Sequence, residues 1–121
     1  MLLVDAANVV GSRPTGWWRD RAGAARAFVE QLRAGVRDGR LDRPVAVVLE
    51  GKARDGVEAG EADGVTVEHA PGSGDDALID VVERTLDEDV TLVTADRELR
   101  RRAEALGAKV VGPRWLLDRV D

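Results

Sequence analysis

The side chains in this sequence best suited to chemistry are carboxylates. Asp5 directly follows the short apolar run Met1–Val4, and Asp96 follows another, Val90–Val93, across Thr94-Ala95. Glu50 ends a third run, Val45–Leu49, and Asp75 and Asp76 stand together after the breaker Ala70-Pro71-Gly72-Ser73-Gly74. The chain has no cysteine and one histidine, His69. That removes disulfides, iron–sulfur clusters and cysteine zinc sites, and leaves almost no room for a histidine triad or cage. Metal chemistry on oxygen ligands stays open. Carboxylates within about 4–6 Å of one another raise each other's pKa unless a cation neutralises them. Mg²⁺ takes one or two carboxylates, keeps several waters and leaves positions for phosphate oxygens, and Mn²⁺ suits the same ligands. Such an ion lowers the pKa of a bound water and stabilises charge on a phosphoryl group, so no protein nucleophile is needed.

Taken one at a time, the same acids have plainer uses. Asp96 reads as a helix N-cap, whose loss costs about 0.5–2 kcal/mol. Asp75 and Asp76 read as first-turn acids that complement a helix dipole, each worth roughly 0.3–1 kcal/mol. Asp5 fits neither role, because no helix is expected for many residues after it. Asp80 follows Asp76 by one helical turn on the same face, and either reaches the acids from below or is solvated.

The elements that would carry these acids follow from pattern. Met1–Val4, Val45–Leu49, Val65–Glu68, Val90–Val93 and Lys109–Val111 read as strands. Asp20 to about Val36 reads as a helix with the stripe Ala25, Phe28, Val29, Leu32 and Val36, closed by Asp38-Gly39. Further helices are expected over Asp75–Leu86, from Asp96 to about Leu106, and from Pro113 through Leu117. Lys52–Gly64 is polar and glycine-bearing and reads as loop. Strands that are apolar throughout are buried on both faces, as in a parallel sheet covered by helices, so a three-layer α/β architecture is expected. In such sheets ligands collect beyond the carboxyl ends of the strands, where Asp5, Glu50 and Asp96 fall.

A length of 121 residues and a mass of 13.0 kDa suit one domain spanning 1–121. With 44% apolar and 34% charged residues the chain is neither disordered nor a membrane span. It opens with no secretory-signal pattern, so a cytoplasmic location is expected. The net charge of −5 conceals a pattern. Residues 1–49 carry eight basic against five acidic side chains, residues 50–96 three against fourteen, and residues 97–121 seven against four. Most candidates for phosphate contact lie in the basic ends, with Lys52 and Arg54 in the acidic middle. Arg13 and Trp18 lie in the loop after the Asp5–Asn8 segment, one of its two tryptophans expected to be buried and the other partly exposed. Arg97 opens a helix beside Asp96, and Lys52 and Arg54 follow Glu50. Most of the run Arg100, Arg101 and Arg102 reads as a solvated face, with Glu98 and Arg102 paired at i,i+4. His69 reads as structural or surface, and Gly72-Ser73-Gly74 as a hinge.

Three blocks together resemble the NYN-type domains of the PIN-like nuclease superfamily. These are Leu2-Leu3-Val4-Asp5-Ala6-Ala7-Asn8, Gly74-Asp75-Asp76-Ala77-Leu78-Ile79-Asp80 and Thr91-Leu92-Val93-Thr94-Ala95-Asp96. The resemblance implies a Rossmann-like sheet of order 3-2-1-4-5, an acidic Mg²⁺ or Mn²⁺ pocket, and hydrolysis of phosphodiesters, usually in RNA. Carried over by position, Asp5, Asp76 and Asp96 become metal ligands and Asp75 a ligand or supporting acid. Asn8 would orient Asp5 or the scissile phosphate, with Glu50 and Asp80 behind the ligands. The chain departs from the pattern at Arg100, where some relatives carry a further acid, and it is short for the superfamily. A metal-dependent ribonuclease is therefore the leading expectation. A nucleoside triphosphate pyrophosphohydrolase on the same acidic site is the alternative, as is a catalytically weak domain that binds RNA or protein. Monomer and homodimer both stay open.

Overall fold

The computed structural model describes residues 1–121, and each predicted strand forms. They are β1 (Leu2–Asp5), β2 (Val45–Leu49), β4 (Val65–His69), β5 (Thr91–Val93) and β6 (Lys109–Val111), with an additional β3 at Gly60–Ala62. The helices are α1 (Ala6–Gly11), α2 (Arg21–Arg37), α3 (Gly74–Arg84), α4 (Arg97–Ala105) and α5 (Pro113–Val120). The sheet runs β3-β4-β2-β1-β5-β6. Its five parallel strands take the expected 3-2-1-4-5 order, and β3 pairs antiparallel with β4 at one edge.

Alternate residues of each central strand feed two separate cores, as the period of two requires. Leu2, Val4, Val45, Val47 and Leu49 pack with Val29 and Leu32 of α2 and Leu116 of α5. Leu3, Ala46, Val48 and Leu92 pack with Leu78, Ile79 and Val82 of α3 and Leu99 and Ala103 of α4. This is the expected three-layer α/β arrangement. β1 and β2 lie at its centre and are buried along their whole length.

Several expectations need correction. Lys52–Gly64 is not plain loop: it folds into a 3₁₀ helix at Gly51–Gly56 and then β3. β3 escapes the apolar pattern because all three of its residues are exposed. Its turn is Asp63-Gly64, with φ of 53° and 80°, the backbone that a two-residue hairpin demands and that Asp-Gly supplies readily. The segment after Asp5 is helical at once, because six residues of α1 are too few to show periodicity. Neither tryptophan of the Trp17–Arg19 turn is buried: Trp17 is half-buried and Trp18 is 55% exposed. Phe28 alone among the aromatics is fully in the core. Ser73 is a cap, not part of a hinge, accepting a hydrogen bond at Oγ from the Asp76 amide at 3.1 Å.

Candidate active site

Asp5 ends β1 with only 6% of its surface exposed. Both carboxylate oxygens are engaged: Oδ1 accepts from the Asn8 amide at 3.3 Å, and Oδ2 accepts from the Thr94 hydroxyl at 2.9 Å. Asp5 is thus the N-cap of α1, the plain role that an absent helix had seemed to deny it. Thr94, 2% exposed, in turn accepts the Asp96 amide at 3.1 Å. The Asp96 carboxylate caps α4 through the Leu99 amide at 2.9 Å. Asn8 closes the circuit from the other side, its Oδ1 accepting from the Ala95 amide at 2.7 Å. Two strand ends far apart in sequence are therefore stitched together by side chains at Asp5, Asn8 and Thr94. Thr94 went unassigned in the sequence, although its place two residues before Asp96 is a usable signal.

Glu50 holds the third corner. It reaches from the end of β2 to the start of α3, where its Oε2 accepts from the Gly74 amide at 2.9 Å. A Cβ at residue 74 would lie 2.9 Å from the Glu50 carboxyl carbon, so glycine is what lets the carboxylate seat there. Glu50 thereby fixes the helix turn that carries Asp75 and Asp76. These neighbours diverge. Asp75 is half-buried and interacts with Asp5, Glu50 and Asp96, whereas Asp76 is exposed and forms an ion pair with Arg102 at 3.2 Å. The motif carry-over favoured Asp76 as the ligand; the structure brings Asp75 to the other acids. Arg102 is consequently not the partner of Glu98, which pairs with Arg101 at 2.6 Å instead. Asp80 is exposed, and its position carries it to the solvated side of α3.

Burial, then the carboxylates of Asp75 and Glu50, push the Asp5 carboxyl up to about 6 despite the hydrogen bonds from Thr94 and Asn8. Asp75 is also raised, by burial first and then by Asp96 and Glu50. An edge that penalises its own ionisation is an edge that a cation would stabilise. The donor set is oxygen-only and suits a hard divalent ion. No group of three or more His, Cys, Asp or Glu side chains is arranged to hold a metal ion, so the match lies in donor chemistry and charge, not in a formed cage.

Beside Glu50 a cleft of about 380 Å³ opens between α1, the start of α2 and the 3₁₀ helix. Its lining is mainly apolar, with Trp17 in its wall and Arg21 and Glu50 as its charged members. Gly56 permits the close approach of the 3₁₀ helix to α2: a Cβ there would meet the Ala22 carbonyl oxygen at 2.0 Å. The expected phosphate contacts divide. Arg13 is taken away from the acids by Gln31 and an ion pair with Asp121. Arg54 is committed to the Gly51 and Ala70 carbonyls at 3.0 and 3.1 Å. Arg97 and Lys52 are exposed and form no ion pair, and Trp18 stays exposed with Arg19 5.7 Å from its ring centre. Arg100 lies 3.5 Å from the Val110 carbonyl. His69 is structural, its Nε2 2.7 Å from the Val57 carbonyl.

No protein-family model and no curated protein matches the sequence. Among solved structures, the crystal structure of a tryptophan-to-leucine mutant of Rae1 (YacP) from Bacillus subtilis is similar, with a TM-score of 0.68 and 19% identity. The match covers 98% of this chain and 72% of that one. At this identity the likeness establishes the fold, and function has to be argued from the site. No helix is long and apolar enough to cross a membrane.

Proposed function

We propose that this chain is a metal-dependent nuclease that hydrolyses phosphodiester bonds in RNA. The observation that carries the reading is the gathering of Asp5, Glu50, Asp75 and Asp96 at the carboxyl ends of β1, β2 and β5, where Asp5 and Asp75 resist ionisation. Carboxyl strand ends are where open α/β sheets place their ligands. The fold shared with Rae1 and the three sequence blocks support the same reading. Asp5, Asp75 and Asp96 are the carboxylates that would attract Mg²⁺ or Mn²⁺, one or two of them ligating directly and waters filling the remaining positions; when bound, the ion would supply charge neutralisation and a more acidic water.

The chain's own residues set the stage for that chemistry. Thr94 and the Asn8 amide hold Asp5 in one orientation, and Thr94 ties it to the turn that presents Asp96. Glu50 anchors the turn that presents Asp75. Arg97 and Lys52, unpaired and exposed on either side, are free to meet phosphates of a bound strand. Titration with Mn²⁺, followed by cleavage assays on single-stranded RNA, tests the reading. Tight-binding saturation and cleavage lost in Asp5→Asn are expected; no cation binding, or undiminished cleavage in Asp5→Asn, overturns it.

The size of the cleft beside Glu50 also favours a second reading, hydrolysis of a free nucleoside triphosphate on the same acids. Pyrophosphate release from nucleotides without cleavage of oligonucleotides would select it.

A further inference from the structure

The cleft beside Glu50 does not belong to the carboxylate cluster, yet it shares a wall with it. Ala6 and Ala7 directly follow Asp5, and Glu50 lines one end. Trp17 and Arg21 stand elsewhere in the lining, the guanidinium 5.5 Å from the ring centre. The remaining walls include the small side chains Ala24 and Ala53. A volume of about 380 Å³ falls within the range of small-ligand pockets, roughly 300–1,000 Å³. Arg21 lines the opening, and Arg19 and Lys52 lie within two residues of lining residues in the chain; all three are exposed and none forms an ion pair. The site is therefore apolar inside, with Arg21 and Glu50 as its charged lining and exposed cations in the adjoining chain.

We infer that the cleft receives one unpaired nucleobase of the substrate strand, stacked against Trp17, with the adjoining phosphates led by Arg19, Arg21 and Lys52 toward the acids. The charge pattern selects this occupant. A fatty acyl chain or apolar peptide would use the walls and leave these cations idle. A nucleotide uses both, since its base is flat and apolar on its faces while its backbone is anionic. Stacking on tryptophan tolerates any base, so the pocket selects single strands over sequence. A base held in a duplex cannot enter. The inference deepens the nuclease reading and rests on it for the identity of the strand, but base binding has its own readout.

The test uses the full chain with Trp18→Phe and Trp115→Phe, so that Trp17 is the sole fluorophore, in EDTA. Adenosine monophosphate and a short single-stranded oligoribonucleotide are titrated in. Saturable quenching is expected, weakened about tenfold by Ala24→Leu, which fills the cleft without removing a polar group. In the parent chain, Trp17→Ala should raise KM for oligonucleotide cleavage about tenfold and alter kcat little. Absence of quenching, quenching that Ala24→Leu leaves unchanged, equal competition by duplex RNA, or binding of an apolar dye in place of nucleotides each overturns the inference. Nucleotide binding with no cleavage under Mg²⁺ or Mn²⁺ supports the base site and defeats the nuclease reading alone. Cleavage that is indifferent to Trp17 does the reverse.

Discussion

The molecule contains two cavities of similar size, each with a tryptophan and an arginine in its lining, at different edges of the sheet. One, of about 380 Å³, holds Trp17 and Arg21 beside the carboxyl ends of β1 and β2. The other, of about 400 Å³, holds Trp115 and Arg119 beside Met1, Leu2 and Thr91, where β1 and β5 begin. The second pair is self-satisfied. The Arg119 guanidinium lies 3.8 Å from the Trp115 ring centre and donates to the Trp115 carbonyl at 2.7 Å. The first pair is looser, at 5.5 Å, and adjoins acids that oppose their own ionisation. The same residue types thus have different uses. An arginine closed on its tryptophan covers apolar surface, whereas Arg21, at 5.5 Å, sits less closely on its ring.

The sharpest way to break this comparison is to disable one edge at a time. Asp5→Asn should reduce RNA cleavage about 100- to 1,000-fold, and Trp115→Ala at the opposite edge should leave it within about twofold once stability is matched. A comparable loss from Trp115→Ala would erase the distinction between the edges. Metal-free stability gives the next largest effect. Burial and the neighbouring carboxylates push the Asp5 carboxyl from its ordinary 3.8 up to about 6. Its contribution is therefore fully present below pH 3.8 and lost as pH rises through about 6. In EDTA, denaturant unfolding should show stability falling across this window, by an amount on the order of 3 kcal/mol from Asp5. Asp5→Asn should flatten that slope and stabilise the metal-free protein at neutral pH while removing activity. A variant less stable than the parent there would mean that the cap outweighs the buried charge.

Smaller effects sharpen the picture within the acidic edge. Gly74→Ala pushes a methyl group into the Glu50 carboxylate and should cost about 1–3 kcal/mol in thermal or chemical unfolding. The adjacent pair gives the finest contrast. Asp75→Asn should weaken Mn²⁺ binding about tenfold or more, measured by titration calorimetry. Asp76→Asn breaks only a surface pair with Arg102, worth about 0–1 kcal/mol, and should leave Mn²⁺ affinity unchanged. The reverse result would restore the assignment that the motif alone suggested.

Much of the architecture is legible in the sequence because its signals are local. Val45–Leu49 and Lys109–Val111 form strands with the expected ends, and Asp20 and Asp96 cap the helices they precede. β3 was hidden because an exposed edge strand has no apolar alternation, although Asp63-Gly64 carried the turn signal. α1 was hidden because one and a half turns cannot display a period. Asp5 looked like a bare site residue for that reason; it is at once a helix cap and part of the acidic cluster.

By itself, the sequence excluded cysteine chemistry, left oxygen-donor chemistry intact, and set Asp5, Glu50 and Asp96 after apolar strands. The parallel order of those strands then places all three at one edge, because parallel strands share a carboxyl end. The tertiary structure alone decided which neighbour joins them. Asp75 and Asp76 are equivalent as residue types, and their fates divide because α3 is anchored by Glu50 and faces Arg102 of α4. The same holds for the tryptophans: the sequence sets an arginine four residues after both Trp17 and Trp115, and only the tertiary structure puts Trp17 in a cleft with Glu50 and Trp115 beside the strand starts.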